Sequence, residues 1–127
     1  MDFKKATTLL IEDERILCDM YKIKFDISGL RLLIANGGYE GLAMAKKEKP
    51  DLILLDIKMD DLDGFEVLKQ LKADSKLSHV PVFLLTNMGE KGNAEEGLQL
   101  GAEAYIMKSK TVPAEIVSRV IARLNKI

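Results

Sequence analysis

Asp51-Leu52-Ile53-Leu54-Leu55-Asp56 decides the fold. The run Leu52–Leu55 is too short for a helix and has no polar alternation, so a strand formed here is covered on both faces. Such strands sit inside parallel sheets flanked by helices. Similar short apolar runs lie at Thr7–Ile11, Leu30–Ala35, Val82–Thr86 and Ala104–Met107.

Helical spacing fills the intervals. Ile16, Met20, Ile23 and Ile27 recur at steps of three and four, which predicts their burial on the core face of a first helix. Polar Arg15, Asp19, Lys22 and Asp26 lie between them, and Gly29 sits where a C-terminal cap would. A second helix over Gly38–Lys49 sets Tyr39, Leu42 and Ala43 on one side and stops before Pro50. A third groups Phe65, Leu68 and Leu71, and a fourth spans Asn93–Leu100. The last carries Ile116, Val117, Val120, Ile121 and Leu124, with Pro113 near its first turn. Strand followed by helix, five times over, implies right-handed crossovers. The expected fold is α/β: a flavodoxin-like three-layer sandwich, a five-stranded parallel sheet of order 2-1-3-4-5 with helices on both faces.

Composition narrows the function classes. The chain has 127 residues, so residues 1–127 are read as a single domain with no output domain attached. Whether it acts alone or is a piece of a longer regulator stays open. Lys plus Arg number 19 and Asp plus Glu 20, a balance unlike a nucleic-acid or membrane-surface binder. No apolar run reaches the roughly 18 residues of a membrane span, and Leu9-Leu10-Ile11 is too short for a signal peptide core. With one cysteine, Cys18, no internal disulfide forms, and the expected location is the cytoplasm.

In such sheets ligands bind beyond the carboxyl ends of the strands. Glu12, Asp13 and Glu14 follow the first strand, Asp56 follows the third run, Thr86 ends the fourth and Lys108 follows the fifth. The expected strand order brings these ends together. Two carboxylates about 4 Å apart repel by roughly 4 kcal/mol at an effective dielectric of 20, so the cluster asks for cations. Lys108 is one, and Mg²⁺, which takes oxygen ligands, suits the rest. A carboxylate beside both is a plausible phosphoryl acceptor. Taken singly these residues have ordinary roles: acids at a helix N-terminus, a cap, a solvated lysine. His79 reads as a surface residue, Cys18 as a helix residue without chemistry and the methionines as packing.

The same segments resemble the receiver domain of bacterial-type response regulators, the CheY-like family, over essentially the whole chain. The resemblance rests on Leu9-Leu10-Ile11-Glu12-Asp13-Glu14, Asp51–Met59, Asp63-Gly64-Phe65-Glu66-Val67-Leu68, Pro81–Thr86 and Gly101–Lys108. It implies a phosphorylation-controlled switch in two-component signalling, not an enzyme in its own right. Asp56 would take a phosphoryl group from a phosphohistidine on a sensor histidine kinase or phosphotransfer protein. Asp13 would bind Mg²⁺ directly and Glu12 mostly through water, with Asp56 and the Lys58 carbonyl as further ligands. Thr86 would hydrogen-bond the phosphoryl group, Lys108 would pair with it, and Tyr105 would change rotamer as Thr86 moves. The output would pass to a target protein or a fused domain; a homodimer through the fourth helix, fifth strand and fifth helix stays open.

Three positions depart from the family. Ser109 replaces a Pro that usually follows a cis peptide, and a non-Pro cis bond costs roughly 2.5–4 kcal/mol, which leaves the geometry after Lys108 open. Asp60 replaces a frequent Pro, making an Asp60-Asp61 pair. Asn87 replaces a small residue and, with Met88, borders the expected approach to Asp56, which implies slow phosphorylation and slow loss. The alternative reading is a degenerate receiver, a protein-binding module that works without phosphorylation. A nucleotide binder or hydrolase on this fold is disfavoured: no Gly-rich phosphate loop follows the first strand, and His79 is the only histidine.

Overall fold

The computed structural model describes residues 5–87 and 93–127. Its elements run β1 (Thr7–Ile11), α1 (Arg15–Ile27), β2 (Arg31–Ala35), α2 (Gly38–Glu48), β3 (Leu52–Asp56), α3 (Gly64–Ala73), β4 (Val82–Thr86), α4 (Asn93–Gln99), β5 (Ala104–Met107) and α5 (Pro113–Leu124). A single 3-10 turn, Lys108–Lys110, links β5 to α5. The five strands form one parallel sheet of order β2-β1-β3-β4-β5, the expected topology. All described peptide bonds are trans, Lys108–Ser109 included. No helix among the described residues is long and apolar enough to cross a membrane.

Alternation along the strands builds two cores. Leu10, Leu52, Leu54, Phe83 and Leu85 point to the side covered by α1 and α5. Leu9, Ile11, Ile53, Leu55 and Leu84 point to the side covered by α2 and α3. Every residue of β3 is buried, as its unbroken apolar run requires. On α5, Ile116, Val117, Val120 and Leu124 are buried and Ile121 packs against them partly buried.

Two helix faces differ from the sequence expectation. Ile16, Met20, Ile23 and Ile27 of α1 are 71%, 43%, 59% and 74% exposed, so the stripe expected to be buried faces solvent. The helix packs through Cys18, Tyr21 and Phe25 instead. These residues also recur at steps of three and four, and two of them are aromatic rings, each a large apolar group to bury. On α2, Leu42 is buried as expected, but Tyr39 is 63% exposed and Ala43 is exposed, while Gly38, Gly41 and Ala45 face the core. Small residues let α2 approach: a side chain at Gly41 would lie 2.5 Å from Ile11 Cδ1. The Gly29 cap is present, with φ of 76°, and Leu30 N–H closes the helix on Phe25 C=O at 2.9 Å.

The two faces of α1 should therefore respond oppositely to mutation. Phe25→Ala is expected to cost about 3–5 kcal/mol in chemical denaturation, as for other buried aromatics. Ile23→Lys is expected to change stability by less than about 0.5 kcal/mol, as for an uninvolved surface site. A large loss in Ile23→Lys would place the outer stripe against something in the folded chain.

Candidate functional site

Register assembles the site. Ile11 pairs with Leu55, so Glu12 stands beside Asp56 where β1 and β3 end. Thr86 pairs with Met107, which brings Lys108 to the same edge from β5. Chain connections carry away β2, leaving the first, third, fourth and fifth strand ends adjacent.

One buried ammonium bridges two buried carboxylates there. Lys108 Nζ lies 2.5 Å from Glu12 Oε1 and 2.9 Å from Asp56 Oδ1. The Glu12 and Asp56 residues are only 0% and 3% exposed. Glu12 also accepts from the Glu14 N–H at 3.2 Å, and its carbonyl accepts from the Cys18 thiol at 3.3 Å. Asp13 is half-buried beside them, and one carboxylate oxygen from each of Glu12, Asp13 and Asp56 lies within 4.8 Å of the others. Asp13 Oδ2 accepts from the Asp60 N–H at 3.1 Å. Together with Lys58 and Asn87 these residues line an open cleft of about 610 Å³. A smaller cleft of about 380 Å³ opens at the other end of β3 and β4, beside Pro50 and Pro81, away from the carboxylates.

Burial pushes the Asp56 carboxyl up to about 7; the hydrogen bond from Lys108 opposes the rise and neighbouring Glu12 adds to it. Burial alone would lower Lys108, but its hydrogen bonds to Glu12 and Asp56 outweigh that and hold it above its ordinary value. Burial likewise lifts the Cys18 thiol to about 11, with Glu12 adding to it, so Cys18 is an inert thiol at neutral pH. Three carboxylates against one ammonium leave negative charge unmatched in a pocket of oxygen donors. That set fits a hard divalent cation.

The remaining expected residues are nearby. Thr86 is buried at the end of β4, its hydroxyl donating to the Asn87 carbonyl at 3.2 Å. Tyr105 is partly buried on the neighbouring strand, on the same side of the sheet as Leu84. Lys58 and Asn87 line the cleft; Met88 lies outside the described residues.

In sequence Asp60-Asp61 is only an acidic pair, and the role of Asp61 shows in the structure. Its carboxylate accepts from the N–H groups of Gly38 at 2.9 Å, Tyr39 at 3.2 Å and Leu62 at 2.8 Å. It thus ties the β3–α3 loop to the start of α2. The bonds from Gly38 and Tyr39 hold its carboxyl below the ordinary range. The partner is 23 residues away in sequence, so no local pattern announces it. Asp63 caps α3 through the Phe65 N–H at 2.6 Å. Gly64 follows because a side chain there would sit 2.3 Å from the Asp56 carbonyl oxygen.

Carboxylates are clustered with a lysine beyond the ends of a doubly wound sheet, where open α/β sheets bind their ligands. The response regulator receiver domain profile matches residues 8–121, and the chain belongs to that family. It is 36% identical over 107 residues to the polar-differentiation response regulator DivK of Brucella anthropi, covering 84% of this chain and 87% of that protein. Among solved structures, the Francisella response regulator 1452 receiver domain superposes with a TM-score of 0.87 at 27% identity, over 96% of this chain and 98% of that one. Chemotaxis protein CheY4 of Vibrio cholerae does so at 0.84 and 26%, over 92% and 97%. The Mn(2+)-bound form of response regulator Rcp1 does so at 0.78 and 25%, over 92% and 90%. The chain is thus a signalling receiver of the two-component kind.

The raised Asp56 carboxyl gives a signed pH dependence in metal-free buffer. Between an unfolded value of about 3.9 and the folded value, the native state holds a proton that the unfolded state has lost. This group's contribution to stability is full below the lower value and is lost as pH rises through about 7. Melting curves from pH 5 to pH 8 should therefore show the native chain falling relative to Asp56→Asn. A constant difference between the two would show that Asp56 titrates normally.

Proposed function

We propose that this chain is a phosphorylation-controlled switch that accepts a phosphoryl group on Asp56 in a Mg²⁺-dependent reaction. The observation that carries this reading is the Lys108 ammonium held between Glu12 and Asp56, with Asp13 at the rim. An Asp56 carboxylate oxygen attacks the phosphorus of a partner's phosphoimidazole. The O–P bond forms, the P–N bond breaks and the leaving imidazole takes up a proton. Lys108 neutralises a phosphoryl oxygen, and the Thr86 hydroxyl turns from the Asn87 carbonyl to donate to another. Glu12, Asp13, Asp56 and the Lys58 carbonyl would hold Mg²⁺, which when bound supplies further positive charge for the transferring group. The Mn(2+)-bound relative supports a divalent cation for this fold. Tyr105, on the strand beside Thr86, would follow the hydroxyl and carry the change to the surface.

The donor is a sensor histidine kinase or phosphotransfer protein, and the outer stripe of α1 suits its docking. Ile16, Met20, Ile23 and Ile27 repeat with the four-three-four spacing of a helix-pairing seam. The seam starts two residues beyond Glu14, which lines the cleft. A helix laid along it brings its own side chains to the rim of the acceptor site.

Incubation with a small phosphodonor and Mg²⁺, followed by mass spectrometry, should show one acid-stable, base-labile phosphoryl group on the native chain and none on Asp56→Asn. Chelator should abolish labelling and lower the melting temperature; at ten times the dissociation constant, Mg²⁺ binding contributes roughly 1.4 kcal/mol. Labelling that persists in Asp56→Asn refutes the acceptor assignment. Absence of labelling with several donors would favour a receiver that binds partners without phosphorylation.

With any kinase that labels the native chain, Met20→Asp and Ile23→Asp should slow transfer about tenfold or more, equivalent to about 1.4 kcal/mol of barrier. Their labelling by the small donor should stay within about twofold of native, since that reaction needs no docking surface. Equal slowing with both donors would place the effect in the acceptor site.

A further inference from the structure

We infer that Asp61 is a positioning residue for the metal site: by clamping the β3–α3 loop to the N-terminus of α2, it sets the affinity for the divalent cation. This rests on the reading of Glu12, Asp13 and Asp56 as a Mg²⁺ site.

The loop between β3 and α3 carries Lys58, whose carbonyl is the proposed ligand, and Asp60, whose N–H steadies the Asp13 carboxylate at 3.1 Å. Its far end is fixed where Gly64 N–H meets the Ile57 carbonyl at 2.7 Å. The middle is held at Asp61, which touches neither the cleft nor the acceptor. Its carboxylate instead gathers the Gly38, Tyr39 and Leu62 N–H groups. Two of those are donors that the first turn of α2 cannot satisfy internally, and they carry the positive end of the helix dipole. An exposed acid with three backbone donors, two from another element, is anchored far better than a free surface acid. Anchoring it fixes its neighbour Asp60, and through the Asp60 N–H the orientation of Asp13. Groups one step behind the ligands act this way in metal sites, and their loss typically costs tenfold or more in affinity.

The fold reserves space for this contact. A side chain at Gly37 would lie 2.8 Å from Asp61 Oδ2 and 3.0 Å from its Cγ. Gly37 is extended, with φ of −176° and ψ of 171°, a conformation alanine adopts without strain. Gly37→Ala therefore displaces the Asp61 carboxylate while leaving its charge in the chain. Asp61→Ala removes carboxylate and charge together.

The test is Mg²⁺ titration by calorimetry on the native chain, Asp61→Ala, Gly37→Ala and the double variant, with thermal melts and amide exchange across residues 57–62. Both single variants should raise the Mg²⁺ dissociation constant about tenfold. The double variant should be no worse than the more affected single, because both break one contact. Amide exchange in the metal-free loop should quicken in both. Phosphorylation by a small donor should need more Mg²⁺ yet regain a near-native rate at saturation. Weakened binding in Asp61→Ala with native binding in Gly37→Ala would reduce Asp61 to a distant charge and overturn the clamp. Lowered melting temperatures with unchanged Mg²⁺ affinity would make it a structural staple and also overturn it. A native chain that binds no Mg²⁺ would overturn the metal reading and this inference together; native binding with unaffected variants overturns this inference alone.

Discussion

The Lys108 ammonium between Glu12 and Asp56 is the contact on which the rest of the molecule turns. Two carboxylates under strands β1 and β3 could not stay ionised side by side in the interior without it. The lysine arrives from β5, the far edge strand, 96 residues from Glu12 in sequence. It reaches them only because the sheet order places β3 and β4 between β1 and β5 and all the strands run parallel. The apolar strands thus do more than stabilise the fold. They deliver charges of opposite sign to one edge from distant parts of the chain. Breaking the bridge by removing the lysine would leave buried acids uncompensated, whereas removing Asp56 leaves Lys108 with Glu12.

The sheet and the bridge were legible in sequence because both are dictated by features that tolerate little ambiguity. Leu52-Ile53-Leu54-Leu55 admits one environment, and the sheet order follows from the strand–helix rhythm. Once the order is known, the residues after each strand must meet, and Glu12, Asp56 and Lys108 do. Helix faces were less legible where a helix is apolar on two sides. For α1, counting apolar residues favours Ile16, Met20, Ile23 and Ile27, while packing favours Cys18, Tyr21 and Phe25. Periodicity reports that a helix has an apolar stripe but not which stripe meets the sheet; on α1 it is the one that carries the rings of Tyr21 and Phe25. For α2 the misleading residue was Tyr39, since glycines carry no hydropathy signal even where close approach makes them the buried face. The clamp at Asp61 was invisible for another reason: its donors are backbone groups, whose positions no side-chain pattern records.

The carboxylate cleft and the outer face of α1 have opposite characters, and their adjacency matters. The cleft is polar and charged, so it discriminates by electrostatics but offers little area for binding energy. The α1 seam is apolar and exposed, so it offers area but no chemistry. In the proposed reaction a small donor would use only the first, whereas a protein donor could use both. With α1 as the proposed docking surface, the rate of transfer from a partner would depend on a surface that the chemistry itself does not touch, and specificity among partners could change by substitution along α1 while the charged cluster stays as it is.

Phosphorylation would alter the charge balance at the bridge. The Asp56 carboxylate carries one negative charge when ionised, and a phosphoryl group on it carries roughly −1.5 to −2 at neutral pH with three strong acceptor oxygens. Lys108 is shared between Glu12 and Asp56 beforehand. The new oxygens would draw it toward the phosphoryl group and away from Glu12, which then needs compensation from a cation held at the rim. Thr86 is a neutral donor at the end of β4, and its hydroxyl donates to the Asn87 carbonyl through an ordinary 3.2 Å contact. That is a weak restraint beside a charge-assisted bond to phosphate. In the proposed switch the reach of the signal would be set by what Thr86 leaves behind, because β4 is buried throughout and the space it would vacate lies on the side of the sheet where Tyr105 packs. Close packing would then turn a small hydroxyl movement into a choice between two ring positions. The shift between them can be no larger than the difference in how the phosphorylated site interacts with each.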